Sequence, residues 1–87
     1  MQRGCAVLGR NIRAGRGEID LIIKDGIVIV AVEVKTGTTA FEHFTDAKVE
    51  TLRRTMQRLR PSPRRLDLIT VTPYAGRATI RWYRDAG

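Results

Sequence analysis

The amino-acid sequence predicts a mixed α/β fold with its elements in the order βββαββ. Two apolar, β-branched runs, 18–24 and 27–36, flank Asp25-Gly26, and an Asp-Gly loop between two such runs is a strong hairpin signal. Residues 46–60 instead repeat apolar side chains at helical spacing. Further strand patterns precede the hairpin and follow the helix. The order of these elements indicates an α+β or mixed α/β domain.

The outer strands are predicted from weaker alternation. Residues 6–14 alternate loosely between apolar and polar side chains, and Gly9 predicts a bend in this first strand. Residues 37–44 lack a periodic pattern and are expected to form a loop. After the helix, 66–72 and 78–84 read as two strands separated by a proline- and glycine-containing turn.

The helix has signals at both of its ends. Thr45 is a suitable N-cap, and the charge of Asp46 suits the positive end of the helix dipole. Pro61 is expected to end the helix near residue 60. One face is predicted to pack on the sheet through Val49, Leu52, Met56 and Leu59.

Length and composition restrict the class of protein. The chain has 87 residues, which predicts a single domain over 1–87. Hydrophobic residues make up 43%, enough for a core, but no apolar run approaches the roughly 18 residues of a membrane span. Cys5 is the only cysteine, which excludes an internal disulfide. A cytoplasmic protein without a membrane segment is therefore expected.

The charge balance indicates a polyanionic partner. Sixteen Lys and Arg residues oppose nine Asp and Glu residues, for a net charge of +7. Such a surplus on a small domain favours nucleic acid, although a merely soluble basic surface is the alternative. The basic residues concentrate before the hairpin and on the helix. The candidate nucleic-acid-binding residues are Arg10, Arg13, Arg16, Lys48, Arg53 and Arg54.

The two faces of the hairpin follow if Asp25 and Gly26 form its loop. One face is then wholly apolar, which predicts that it lies on the core. Its residues are Ile19, Leu21, Ile23, Val28, Val30 and Val32. The opposite face carries Ile22 and Ile29 at one end and charged side chains at the other. This second face is therefore not expected to be fully exposed.

Three carboxylates converge on the second face. Glu18 is predicted to face Glu33, and Asp20 is predicted to be a diagonal neighbour of Glu33 at about 7–8 Å. Like charges across a strand pair destabilise it, so Lys35 and a divalent cation are expected to offset the repulsion. Mg²⁺ is usually held by one or two carboxylates, waters and phosphate oxygens. The pattern favours a metal site at the edge of a second packing layer over an ordinary solvated face.

The same residues resemble a known nuclease motif. Asp20, followed after twelve residues by Glu33-Val34-Lys35, resembles the PD-(D/E)xK motif of the restriction-endonuclease-like superfamily. The wider pattern RNIRAGRGEIDLI…VEVKT resembles the YraN-like family of small bacterial endonuclease-like proteins, which is related in fold to Holliday-junction resolvases. TDAKVETL (45–52) and RLDLI (65–69) occupy the places of that family's later helix and strand.

The resemblance implies a restriction-endonuclease-like fold that hydrolyses phosphodiester bonds in DNA with Mg²⁺ or Mn²⁺. It assigns Asp20 and Glu33 to the metal, with Glu18 as a further candidate ligand, and Lys35 to orienting or activating the water. Lys48 matches a basic position on the family's helix. The family usually begins with a helix before its first strand, and that helix is expected to be absent here.

The sequence therefore predicts a metal-dependent nuclease-like domain acting on DNA. Two alternatives stay open. One is a non-catalytic nucleic-acid-binding remnant of the same fold, because the family's N-terminal helix is expected to be absent. The other is an interaction domain that dimerises through an uncovered sheet face, and a homodimer is expected from the thin layer over that face.

Overall fold

The computed structural model describes residues 4–87, in which a five-stranded mixed sheet carries an α-helix on one face. The strands are β1 (Cys5–Ala14), β2 (Gly17–Asp25), β3 (Val28–Thr36), β4 (Arg65–Tyr74) and β5 (Arg77–Tyr83). A short 3₁₀ helix, Ala40–His43, precedes the helix α1 (Asp46–Gln57). The predicted order βββαββ is confirmed. No helix in the described part of the chain has the length and apolar composition needed to cross a membrane.

The sheet order follows the chain, β1-β2-β3-β4-β5. All neighbouring pairs are antiparallel except β3 and β4, which are parallel. Parallel neighbours need a long crossover connection, and α1 supplies it. The helix is therefore placed over the sheet next to the strands that carry the predicted site. The bend predicted near Gly9 is confirmed as a register shift in β1 between Val7 and Gly9.

The predicted register of the central hairpin is wrong by two residues. Asp25 pairs with Val28, so the loop consists of Gly26 and Ile27. Gly26 has a φ of 63°, as a type II′ turn requires at its first loop position. Asp25 stays in the strand, where its carboxylate accepts a 2.8 Å hydrogen bond from Arg65 Nη2. A shift of two residues keeps Ile23, Val30 and Val32 on one face, as predicted, whereas Ile19 lies on the opposite face.

Both faces of the central hairpin contribute buried side chains, as expected from Ile22 and Ile29 on the second face, but the helix covers that second face and not the wholly apolar one. The helix packs on the face that carries Ile22 and Ala31. Ile23, Val30 and Val32, on the predicted core face, form a second cluster on the other side, away from α1. Consequently the charged end of the Ile22 face lies beside the helix, as expected for a site at the edge of a packing layer.

The ends of α1 and of the last hairpin show how local chemistry sets the boundaries. Thr45 is the N-cap, and its hydroxyl accepts a hydrogen bond from Lys48 N–H at 3.3 Å. The α-helix stops at Gln57, three residues before the predicted end, because the next N–H groups bond to carbonyls three residues back. At the last hairpin, β4 continues through Pro73, and the turn contains only Ala75 and Gly76, both with positive φ.

A buried ion network on the face opposite α1 joins three strands. Asp67 is 0% exposed, and its carboxylate accepts hydrogen bonds from Arg65, from Trp82 Nε1 at 2.8 Å and from the Asp85 N–H at 2.8 Å. Arg65 also bonds to Asp25, and this contact lowers the pKa of the Asp25 carboxyl. Because every acceptor of Asp67 is used, the network fixes β2, β4 and β5 relative to one another.

Candidate functional site

The site begins where β2 and β3 part. Their hydrogen-bonded ladder stops at Leu21 and Val32. Beyond it, the Asp20 carboxylate accepts a 2.8 Å hydrogen bond from the Val34 N–H. Strict alternation is lost here, because Ile19 joins the cluster under α1 whereas Leu21 packs on the other side. The side chain of Asp20 therefore takes the place of a backbone acceptor, beside Glu33.

The Glu33 carboxylate is nearly buried and has a perturbed pKa. The side chain is 5% exposed, and Lys35 Nζ and Lys48 Nζ lie 3.5 and 3.9 Å from Oε2. Burial, a hydrogen bond with the Asp20 carboxyl and the charge of Asp20 raise the pKa of Glu33 to about 7, against the opposing effect of the two lysines. The Glu33 carboxyl therefore retains its proton up to near neutral pH.

A cavity of about 320 Å³ gives access to these groups. The sheet contributes the two carboxylates and Lys35, the helix contributes Lys48, and the β1–β2 turn closes one side. The remaining lining residues are Arg16, Gly17, Glu18, Val34, Thr51, Leu52 and Thr55. The structure therefore brings together the three residues of the predicted motif and the basic residue predicted on the helix.

The helix can approach the turn closely because residue 17 is glycine. A Cβ atom at Gly17 would collide with Thr55 Oγ1. Thr55 is itself 3% exposed, and its hydroxyl donates to the Thr51 carbonyl, so it has little room to move. Gly17 thus fixes the width of the cavity between the turn and α1, next to the carboxylates.

Glu18 is placed differently from the prediction. It does not face Glu33, because the hairpin register differs and the ladder ends before this point. Its carboxylate lines the same cavity but pairs with Arg13 Nε at 3.3 Å and is 40% exposed. Within residues 4–87, no group of three or more His, Cys, Asp or Glu side chains is arranged to hold a metal. The protein therefore offers two carboxylates, Asp20 and Glu33.

Two carboxylates fit the requirement of Mg²⁺ or Mn²⁺ in a site shared with phosphate. Mg²⁺ commonly takes one or two protein carboxylates and fills its remaining positions with waters and substrate phosphate oxygens. Asp20 and Glu33 line the same cavity, and their mutual repulsion helps the Glu33 carboxyl to keep its proton up to near neutral pH. A divalent cation would relieve the same repulsion once that proton is lost.

Two of the predicted nucleic-acid-binding residues border the carboxylates directly. Arg16 and Lys48 line the cavity described above. Arg10 approaches Asp20 from another side, where it lines a separate cavity of about 330 Å³ with Asn11. Arg16, Lys48 and Arg10 therefore border the carboxylates from the β1–β2 turn, from α1 and from β1.

The other predicted cations are less directly placed. Arg13 is held by Glu18 at the rim. Arg54 pairs with Glu50 one turn earlier on α1, at 3.5 Å, and lines an adjoining cavity. Arg53 lines neither cavity. Arg13, Arg53 and Arg54 therefore differ in how close they lie to the carboxylates, although the sequence grouped them as one set of basic candidates.

Sequence reasoning missed several residues that shape the site. Thr51 and Thr55 line the cavity and Arg58 extends it, yet the sequence shows only that they lie on the helix. Their helical spacing from Lys48 was the available signal, because residues three, seven and ten positions later lie on the same face. The Asp67 network gave no signal of this kind, since its partners come from distant strands.

Comparison with known families matches residues 1–71 to the family described as "Uncharacterised protein family UPF0102". A UPF0102 protein of Symbiobacterium thermophilum is 42% identical over 95 residues, covering 95% of this chain and 80% of the relative. One of Nocardioides is 37% identical over 97 residues, covering 98% and 78%. One of Thermotoga maritima is 38% identical over 80 residues, covering 83% and 74%.

No solved structure is significantly similar to the chain. The family match nevertheless spans 71 of the 87 residues, and it includes the hairpin, the helix and the whole of the cavity around Asp20 and Glu33. The chain therefore belongs to UPF0102, the YraN-like family that its GEIDLI and VEVK motifs resemble.

Proposed function

We propose that the protein hydrolyses phosphodiester bonds in DNA with Mg²⁺ or Mn²⁺, in the cytoplasm. The observation that carries this proposal is the meeting of four groups in one cavity. The Asp20 and Glu33 side chains line the same cavity, and Lys35 and Lys48 lie within 4.0 Å of Glu33. Acidic and basic groups in one open cavity can receive a cation and the phosphate that accompanies it.

The roles follow from the chemistry of each group. Asp20 and Glu33 would hold the metal, which when bound polarises a phosphate and lowers the pKa of a bound water. Lys35 orients the attacking water and stabilises negative charge that develops on the phosphate oxygens. Lys48 is more exposed and reaches the cavity from the helix, where it positions the phosphate.

The surrounding charge supports a nucleic-acid substrate. The net charge is +7, and Arg10, Arg16 and Lys48 border the carboxylates from different elements. Phosphate contacts of this kind position a strand without reading its sequence. We therefore propose binding with little sequence preference and an affinity that falls steeply as the salt concentration rises.

Cleavage assays with Mg²⁺ or Mn²⁺ and branched, single-stranded or duplex DNA test this function. Asp20→Asn and Glu33→Gln are expected to abolish both cleavage and the stabilisation of the fold by metal. Lys35→Ala is expected to abolish cleavage alone, since lysine is not a ligand. Lys24→Ala removes an exposed lysine from the same hairpin and is the matched control, expected to cleave normally.

The outcomes separate the alternatives. Cleavage that survives Asp20→Asn would contradict the assigned metal site. DNA binding by the wild type, without cleavage on any of the three substrates, would favour the non-catalytic binding domain. If the wild type neither binds nor cleaves any of the three DNA substrates, DNA is refuted as the substrate class.

A further inference from the structure

A second cavity continues the site along α1. It measures about 360 Å³ and shares part of its lining with the carboxylate cavity. The residues that border both are Arg16, Gly17, Thr51 and Thr55. Ala14, Gly15, Arg54 and Arg58 complete the second cavity. The two cavities therefore form one groove between the β1–β2 turn and the helix, which we call the turn–helix groove.

The helix side of the groove has a regular spacing. Lys48, Thr51, Thr55 and Arg58 are separated by three, four and three positions, so they lie along one face. Ten residues of helix span about 15 Å. The groove thus begins at Lys48, beside Glu33, and ends at Arg58, with hydroxyl groups between the two cations.

Two cations of the groove are available to a ligand: Arg16, which borders both cavities, and Arg58, at the far end. Within residues 4–87, no carboxylate lies within ion-pair distance of Arg16 or Arg58, whereas Arg54 pairs with Glu50 on the exposed helix surface. Arg58 is also positioned by the turn. Its guanidinium lies against Gly15, where a Cβ atom would be 2.9 Å from Nη1. The glycine, which has a φ of 62°, leaves room for this group to lie across the turn.

We propose that the turn–helix groove seats successive phosphates of one DNA strand, from the reacting phosphate at Lys48 to a distal phosphate at Arg58. One strand of B-DNA carries a phosphate per roughly 3.4 Å of axis, so about 15 Å accommodates at most about four phosphates, and fewer when the strand runs extended along the groove. The inference rests on the proposed function only for the identity of the phosphate at Lys48. A substrate strand that ends one or two nucleotides beyond the phosphate at Lys48, in the direction of Arg58, should not reach Arg58.

Binding measured against strand length tests the groove. Fluorescence anisotropy is recorded in EDTA with labelled single-stranded oligonucleotides from about two to about twelve nucleotides, which bracket the groove at the phosphate spacing of a strand. Arg58→Ala is expected to weaken binding of the long oligonucleotides by about tenfold, as for loss of one charge-assisted hydrogen bond. The shortest oligonucleotides should be unaffected.

The salt dependence provides a second readout, which a purely structural role would not change. Loss of one phosphate contact should lower the magnitude of the log–log salt slope by about 0.7. Arg58→Lys should keep the wild-type slope because it keeps the charge. Arg77→Ala removes an arginine from the β4–β5 end of the sheet, outside the groove, and should change neither quantity at any length.

Arg54→Ala provides a second test of the groove in case Arg58→Ala fails to fold. Arg54 is 72% exposed, so its removal should not disturb the fold, and it borders the same cavity. It should show a smaller loss with the same dependence on length. Equal losses for Arg58→Ala and Arg77→Ala, or a loss for Arg58→Ala that does not depend on length, would overturn the groove. Length-dependent binding in a protein that cleaves nothing would retain the groove and refute the hydrolysis.

Discussion

Replacing Glu33 with glutamine should stabilise the metal-free protein at neutral and alkaline pH. The substitution keeps the shape of the side chain and removes the charge that opposes Asp20. In the wild type, burial and the Asp20 carboxyl raise the pKa of Glu33 from 4.5 to about 7. A carboxyl whose pKa is raised by folding stabilises the native state fully below its unfolded pKa, and this contribution is lost as the pH rises through the folded pKa.

The magnitude follows from the two pKa values. Each pKa unit corresponds to about 1.36 kcal/mol, so ionising Glu33 in the folded protein costs on the order of 3 kcal/mol. The wild type should therefore lose about this much unfolding free energy between pH 4 and pH 8, relative to Glu33→Gln. For a small domain this is a large part of the total stability. Other carboxyl groups titrate in both proteins, and the difference between the two curves removes their contribution.

Urea unfolding at a series of pH values, in EDTA, measures this difference. The free energies of the two proteins should converge near pH 4 and diverge toward pH 8, with the variant the more stable. Parallel curves would refute the argument, because they would show that Glu33 is not destabilised by its surroundings. Added Mg²⁺ should then stabilise the wild type at pH 8 and leave the variant unchanged.

Three other substitutions test the framework of the site by urea unfolding. Gly17→Ala should cost about 1–3 kcal/mol through its collision with Thr55, and Thr55→Ala in the same chain should recover part of the loss; additive losses would contradict the contact. Asp67→Asn should cost about 3 kcal/mol or more because it breaks a buried ion network, and a neutral effect would show that the network is dispensable. Thr45→Ala should cost about 1 kcal/mol by removing the N-cap, whereas Thr38→Ala in the preceding loop should cost little.

The sequence was sufficient to identify the central residues of the site because their assignment depended on side-chain alternation. The hairpin register was wrong by two residues, but a shift of two keeps Glu33 and Lys35 on their predicted face. Asp20 lines the same cavity although the alternation of β2 breaks between Ile19 and Leu21. Asp20, Glu33 and Lys35 therefore still meet, whereas the predicted opposition of Glu18 and Glu33 does not survive. The order of the elements along the chain, βββαββ, was predictable from the same kind of pattern, since the strands and the helix differ in their apolar period.

Interactions between distant segments could not be predicted in this way. Asp25 remains in the strand because Arg65, forty residues later, binds its carboxylate, and this moves the loop to Gly26 and Ile27. A local Asp-Gly signal does not contain that information. The cavity width depends on the contact between Gly17 and Thr55. This contact joins the β1–β2 turn to α1, so it likewise cannot be inferred from either segment alone.

The position of the site explains why the fold tolerates an unfavourable pair of carboxyl groups. Asp20 stands where the β2–β3 ladder ends, so its carboxylate compensates a backbone N–H that would otherwise lack a partner in the sheet. Glu33 is kept beside it by the strand pairing of β3 with β4, which continues through this point. Backbone pairing therefore keeps the two carboxyl groups together despite their repulsion. The cost in unfolding free energy is what the Glu33→Gln comparison measures. Because a divalent cation bound to both carboxylates would remove that cost, the same few kcal/mol that destabilise the metal-free protein would contribute to its affinity for metal.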